Sequence, residues 1–478
     1  MSSGLSQAFR SWTHPETESE PFLGSGLVVL DASALLHLYR VTTAARRQIF
    51  AALKSVETRL WLPHQACAEF HRNRLDVVAK KMSQFRETRT TLLSSNAKAV
   101  TEIRKAITRL VEFRQYNMTS REWDPQTHGL DEESILGRLD GLLDPALAEL
   151  KALQAEHDIG PGDVTSADPV LEHFEDLTRG KLGDPYNHRH LMEIVSEAVE
   201  FRFPNEMPPG YEDAEKKSPY RAAGDYILWR QVLDRAAQLP NCKHVALVTN
   251  DVKPDWWIID KKGNPLRARP ELGQELFEHT GAQLKLFTLS DFLEAAAGQF
   301  PGSVSDDIVQ AVRKSEAMVR IEEMLNQLRE VNASTDGESD GKPDLLSLPP
   351  FIFEQLTRVL FIAMGYRDVA SAPQERDAGY DIRARHPHSN IGDGWTLIEA
   401  KRYAKMVGSD SVRALLGSMR AYGAEAGIFV TTSTFGPASR AIARTNNIQL
   451  VDGEHLLRLL SEFLGIDATI SSSPKKDI

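Results

Sequence analysis

The sequence predicts an α/β protein: two α/β domains joined by a helix and a flexible linker, the first interrupted by a long helical insertion. Three observations lead there. Short apolar runs that end at polar or acidic residues alternate with helix-spaced stretches near both ends of the chain. A long charged stretch with helical spacing splits the first of these regions. A Gly-, Ser- and Asp-rich segment, NASTDGESDGKPD, separates the first region from the last and marks a linker.

Taken in order, GLVVLDASALLHLY reads as a buried strand ending at Asp31 and passing into a helix. RLWLP is a second strand ending at Pro63, after which HQACAEFHRNRL is helical. From about Val77 to Gln115 the pattern is long, charged and helical, and DEESILGRLDGLLDPALAELKALQAEH continues it after a loop. The α/β pattern returns with the helix GDYILWRQVLDRAA, the strand HVALVTND and the strand–helix pair LKLFTLSDFLEAA. A charged helix, SDDIVQAVRKSEAMVRIEEMLNQLREV, runs into the linker. Beyond it, LPPFIFEQLTRVLFIAMGY is a helix stopped by Gly365. Strands follow in YDIRARH, WTLIEAKRY, EAGIFVTTS and IQLVDG, with helices near SVRALLGSMRAYG, PASRAIARTN and EHLLRLLSEFL. The expected domains are a disordered N-terminus over 1–26, a first domain over 27–295 with its insertion at about 77–185, a helix and linker over 296–345, a second domain over 346–466 and a tail over 467–478.

The 478 residues are 26% charged and 41% hydrophobic, as in a soluble globular protein, and no apolar run is long enough to span a bilayer. The first twenty-odd residues lack the apolar stretch of a secretory signal. Cys67 and Cys242 form neither a metal-ligand spacing nor a disulfide framework, which points to a reducing, cytoplasmic setting without a membrane partner. A net charge of −11 counts against a passive, sequence-independent nucleic-acid coat. It leaves room for an enzyme whose acidic clusters hold metal ions while basic groups act locally.

Four acids sit where strands end or helices begin. Asp31 ends the first strand, Glu69 lies on the helix after the second, Asp225 opens an amphipathic helix and Asp251 ends a later strand. Carboxyl ends of strands face the ligand crevice in an open α/β sheet. Carboxylates converging there repel one another unless a divalent cation neutralises them, and magnesium or manganese suits an all-oxygen donor set. Each acid alone has a plainer use: a cap at Asp31 or Asp225, a solvated face at Glu69, a turn at Asp251.

The segments LVVLDASALLHLYR, RLWLPHQACAEFHRNR, MPPGYEDAEK, GDYILWRQ and VTNDVKPDWW resemble the PIN-like nuclease domains, over roughly residues 27–295. The resemblance implies a metal site of Asp31, Glu69, Asp225 and Asp251, with Ser33 a small polar neighbour. Asp213 and Asp255 lie in recurrent motifs as accessory acids, or as salt-bridge and capping residues. Lys253 meets a phosphate or pairs with a neighbour. Trp229, Trp256 and Trp257 are expected in the core. Members of the family cut RNA or DNA, so the match leaves the nucleic acid open.

In WTLIEAKRY, the period-two alternation of a strand puts Glu399 and Lys401 on one face, beside each other. Asp381, in RDAGYDIRA, starts another strand that a hairpin would return to the same end of the sheet. Asp381 and Glu399 would hold magnesium, with the Ala400 carbonyl as an extra ligand, and Lys401 would place the attacking water. An exposed salt-bridged strand is the alternative for the bare triplet. FEQLTRVLFIAMGY, DAGYDI, EAKRY, GIFVTTSTFGPASRAIA and IQLVDGEHL follow one another as in Mrr-type restriction endonuclease domains, members of the PD-D/E-x-K superfamily, over roughly residues 347–464. The resemblance puts Asp381, Glu399 and Lys401 on the catalytic triad and Glu354 on an acid that joins some metal sites. Many Mrr-type domains carry glutamine at the position of Glu399, and glutamate is the better cation ligand. Asp377 is expected in a turn, Thr431, Thr432 and Ser433 at a strand end or on phosphate, and Arg402 and Lys405 along a DNA backbone.

The two resemblances together imply a Mg2+- or Mn2+-dependent endonuclease. The partners implied are DNA at the C-terminal site and RNA or DNA at the N-terminal one, in bacterial defence against foreign nucleic acid. Two such centres would need restraint, by low basal activity, a homo-oligomer or a defence-system partner. The alternative keeps one catalytic domain and makes the other a docking scaffold. The non-enzymatic alternative is a sensing protein assembled through its long helices.

Overall fold

Leu27–Leu30 is apolar at every position and buried at every position, as a central strand covered on both faces requires. This strand, β1, organises the first of two compact units in the computed structural model. The structure describes residues 10–13, 19–117, 122–215, 218–259, 265–335, 342–348, 350–372, 379–386, 394–464 and 466–471. Unit 1 comprises residues 1–257 and 267–315, and unit 2 comprises residues 258–266 and 316–478. Among the described residues no helix is long and apolar enough to cross a membrane.

In unit 1, β1 pairs in parallel with β2 (Leu60–Trp61) on one side and with β3 (His244–Val248) on the other. β4 (Trp257–Ile259) and β5 (Pro265–Ala268) form a separate two-stranded sheet that falls mostly in unit 2, and β6 (Gln283–Phe287) pairs in parallel with β3. The resulting order, β2-β1-β3-β6, reverses direction at β1. The carboxyl ends of β1 and β3 therefore mark the switch point of the sheet, where ligands of open α/β folds bind. Val28, Leu30, Ala246 and Val248 share one core with Phe22, Leu35, Phe70 and Phe292. Phe22 and Leu23 belong to a short helix, Glu20–Gly24, and are fully buried. The expected disorder over 1–26 thus fails at this point, because two large apolar side chains close the core. The rest of that stretch is described only at 10–13 and from 19 onward.

The insertion also departs from expectation. His64–Tyr116 is one helix of 53 residues, not a short helix followed by an arm starting near Val77. No glycine or proline occurs within it to break the ladder. Glu132–Glu156 packs back along it, with Val100 and Ile135 buried and Asn96 donating to Asp140 at 2.7 Å.

Unit 2 carries a five-stranded mixed sheet in the order β11-β10-β9-β8-β7. Its strands are β7 (Arg367–Ser371), β8 (Ile382–Arg385), β9 (Thr396–Lys401), β10 (Ala426–Thr431) and β11 (Ile448–Val451). β9, β10 and β11 run parallel, while β8 is antiparallel to both β7 and β9. Ile398, Ala400, Ile428 and Val430 pack one face against Phe353, Leu360, Leu456 and Leu460. Leu397 and Phe429 pack the other against Val412, Leu415 and Met419. This alternation along β9 is what puts Glu399 and Lys401 on the Leu397 side. β7 carries no apolar alternation, and the sequence reading missed it. The expected tail from 467 is ordered through 471: Thr469 and Ser471 bond to Pro343 and Asp344. Of the linker, 336–341 lies outside the described residues, as does Asp377.

Candidate functional site

Asp31 follows β1 and does two things at once. Its Oδ1 accepts from the Ala32 N–H at 2.6 Å, capping the helix Ala32–His37, while Oδ2 accepts from the hydroxyls of Ser33 at 2.6 Å and Thr249 at 2.9 Å. The capping alternative is therefore real without excluding the site. Thr249 follows β3, and its hydroxyl also receives the Asp251 N–H at 3.1 Å, so one buried side chain registers both acids. The Asp251 carbonyl is held by the Trp257 indole N–H at 3.0 Å.

Glu69 stands early in the helix His64–Tyr116, one turn beyond Gln65, whose amide donates to Glu69 Oε1 at 2.7 Å. Asp225 lies in the first turn of the helix Gly224–Gln238, where no side chain caps the end. Asp225 is thus not the cap that the plainer reading offered. These four acids feel one another. Burial first, then Asp31 and Asp225, push the Glu69 carboxyl up to about 7. Burial raises Asp225 and Asp251 as well, opposed by Lys253 and reinforced by their acidic neighbours. Asp225 Oδ2 is buried and, among the described residues, accepts no hydrogen bond. An all-carboxylate donor set with such an oxygen fits a hard divalent cation.

Lys253 stands in the middle of this group. Its ammonium lies 2.9 Å from Asp251, 3.1 Å from Asp213 and 3.9 Å from Asp225. Of the two alternatives drawn from the sequence, the side chain takes pairing with neighbours. Asp255 is fully buried and accepts the Gly210 N–H at 2.8 Å, which makes it a brace for the turn carrying Asp213. Trp229, Trp256 and Trp257 are core residues, as expected.

In unit 2, Asp381 immediately precedes β8, and the pairing Ile382–Ile398 brings it beside β9. Its Oδ2 accepts the Ala400 N–H at 2.8 Å and the Lys401 ammonium at 3.0 Å. Lys401 lies 3.3 Å from Glu399 Oε1. Burial alone would lower the Lys401 pKa, but Asp381 and Glu399 outweigh it and raise the value, with a smaller contribution from Glu354. The triplet is therefore gathered with Glu354 in electrostatic reach. Ala400 contributes its amide N–H to the Asp381 carboxylate.

Among the described residues no three His, Cys, Asp or Glu side chains are set to enclose a metal ion as they stand. In both units a lysine ammonium occupies the space between the acids. The Arg402 guanidinium donates to the Leu346 carbonyl. Lys405 is exposed. Thr431 and Thr432 are buried, and Thr432 donates to the Tyr403 carbonyl at 2.9 Å, so strand-end packing accounts for them. Ser433 donates its N–H to the Thr431 hydroxyl at 3.3 Å. Thr249 and Gln65 went unnoticed in the sequence. An i,i+4 spacing to Glu69 was the one available signal for Gln65.

Two α/β units, each with carboxylates drawn around a lysine at the ends of its strands, define a protein of two nuclease-type domains. The chain belongs to the PIN like domain family, whose model matches residues 27–272, and residues 345–460 match the Mrr catalytic restriction endonuclease model. It is 27% identical over 175 residues to the type IV methyl-directed restriction enzyme EcoKMrr of Escherichia coli (strain K12), covering 35% of this chain and 55% of that enzyme. The chain thus spans about half the length of the curated relative it matches. The DNA modification-dependent restriction endonuclease AspBHI is 19% identical across 31% of this chain and 37% of its own, with a TM-score of 0.22, too low to bear on the fold.

Proposed function

We propose that this protein is a divalent-cation-dependent endonuclease with two phosphodiester-cleaving centres, acting in the cytoplasm against foreign nucleic acid. The observation that carries the proposal is the convergence of Asp381, Glu399 and Lys401 at one end of the unit 2 sheet. The grouping of Asp31, Glu69, Asp225 and Asp251 at the switch point of the unit 1 sheet supports the second centre. The similarity to a methyl-directed restriction enzyme favours duplex DNA, including methylated DNA, for the C-terminal centre.

A bound Mg2+ or Mn2+ would supply charge neutralisation at the scissile phosphate and a more acidic attacking water. Asp381 and Glu399 would hold it in unit 2, and Asp31, Glu69, Asp225 and Asp251 in unit 1. The Ala400 N–H fixes the Asp381 carboxylate in place. Lys401 presents a compact cation to a phosphate oxygen or to the water. In unit 1 the hydroxyls of Ser33 and Thr249 orient Asp31, and Gln65 orients Glu69.

The test is a cleavage panel of RNA, single-stranded DNA, and methylated and unmethylated duplex DNA, with Mg2+ or Mn2+. Wild type runs beside Asp31→Asn and Lys401→Ala. Each variant should lose a different part of the activity. Loss in only one of them reduces the protein to a single centre with a docking domain, and activity that survives chelation removes the cation-dependent reading altogether.

A further inference from the structure

The position of Lys253 carries an inference about control of the N-terminal centre, and it rests on the reading of that centre as a cation site. Its ammonium touches Asp251 and Asp213 at hydrogen-bonding distance but stops 3.9 Å short of Asp225. Asp225 Oδ2 is therefore screened by the lysine but not bonded, and it is buried without another donor among the described residues. Lys253 faces three carboxylates here, with Glu69 and Asp31 close behind.

The backbone at Lys253 is fixed. Its carbonyl accepts the N–H groups of Trp256 at 3.1 Å and Trp257 at 3.0 Å, and both indoles are buried. The Asp213 turn is fixed too, through the Asp213 N–H to the Gly210 carbonyl at 3.1 Å and the Gly210 N–H to Asp255. Movement of the ammonium is consequently a matter of side-chain rotation between fixed anchors. A divalent cation and an ammonium repel, so a cation held by Asp225 and Asp251 disfavours the ammonium at its present 2.9 Å from Asp251. Asp213 offers the lysine a partner on the far side of that choice.

We propose that Lys253 is a built-in counter-ion of the N-terminal centre, which withdraws onto Asp213 when a divalent cation takes the carboxylates of Asp225 and Asp251. Cation binding is then a substitution of one positive charge by two, and the centre is latent until the ion concentration drives it. Asp213 acts as a positioning residue, giving the displaced ammonium a place to go.

The experiment measures Mn2+ affinity of the full chain by calorimetry and by electron paramagnetic resonance. An Asp381→Asn, Glu399→Gln background keeps the C-terminal acids from competing for the ion. Lys253→Met should bind Mn2+ about tenfold more tightly. Asp213→Asn should weaken binding about fivefold while Lys253 is present, and much less when Lys253 is Met. Thermal melting checks that each variant is folded, and Lys253→Gln carries the same expectation should the methionine variant fail to fold. Unchanged or weaker Mn2+ binding in a folded Lys253 variant overturns the counter-ion proposal. The cation-site reading has its own control: Asp225→Asn must weaken Mn2+ binding, and if it does not, that reading falls and the proposal with it.

Discussion

A β-carbon placed on Gly224 would stand 2.8 Å from Glu69 Oε1. The helix carrying Asp225 and the helix carrying Glu69 approach each other at this point so closely that the Glu69 carboxylate occupies the room a side chain would need. Gly224→Ala would gain up to about 1 kcal/mol in helix propensity, and the atom displaced is the far end of a flexible side chain. Stability should therefore hold while catalysis suffers. We expect the melting temperature to stay within a few degrees and cleavage by the N-terminal centre, measured in a Lys401→Ala background, to fall about tenfold. Undiminished cleavage would show that Glu69 has no fixed role.

Thr249 is the joint between the two strand-end acids, donating to Asp31 and accepting from the Asp251 N–H. Thr249→Val keeps the shape and removes both bonds in a buried place. The loss should be about 1–3 kcal/mol in urea unfolding, with reduced cleavage, and Thr249→Ser should restore most of both. Equal behaviour of the valine and serine variants would refute the assignment.

Lys81, on the long helix, donates to the Tyr39 carbonyl at 2.8 Å and meets His157 Nδ1. Burial and then Arg46 push its pKa down from 10.5 to about 7, and burial and then Lys81 push His157 down from 6.5 to about 4. Both folded values lie below the unfolded ones, so the unfolded chain binds more protons in each interval and stability falls with falling pH across it. For Lys81 the loss runs from pH 10.5 to about 7 and is complete below that. Lys81→Met should be more stable than wild type near neutral pH, by on the order of 2 kcal/mol, with the gap closing as pH rises toward the lysine's ordinary value. Denaturant unfolding across that range checks it, and a pH-independent difference would contradict it.

Asp168 is buried and serves four donors. It accepts from the Tyr39 hydroxyl at 2.6 Å and Arg74 at 2.8 Å, and its Oδ1 caps the helix Pro169–Thr178 through the N–H groups of Val170 and Leu171. Asp168→Ala should cost about 3 kcal/mol or more, because Arg74 loses its counter-charge and a cap goes with it. A loss below about 1 kcal/mol would mean that solvent serves these donors as well as Asp168 does.

Much of the arrangement was legible because strand ends are legible. Asp31 and Asp251 close apolar runs, and the two-residue spacing of Glu399 and Lys401 fixes a shared face in any strand. Contacts set by tertiary placement were not. Nothing local at Thr249 announces that its hydroxyl reaches Asp31 across the sheet, and nothing at Lys253 reveals which of several acids it meets. Arg402 reads as a free cation after a strand, yet a carbonyl from 56 residues earlier claims it. β7, β4 and β5 were missed because edge and hairpin strands of four residues or so carry little periodicity. The single helix His64–Tyr116 was divided in the reading because its apolar spacing weakens where it leaves the core.

That helix gives the protein a mechanical property. From Glu69 it continues unbroken to Tyr116, and at the usual rise its 53 residues span about 80 Å. A rod without a hinge transmits torsion and tilt along its length. Phe113 and Tyr116 stand exposed at the far end of the helix that carries Glu69, so one unbroken element joins the carboxylate end to the surface.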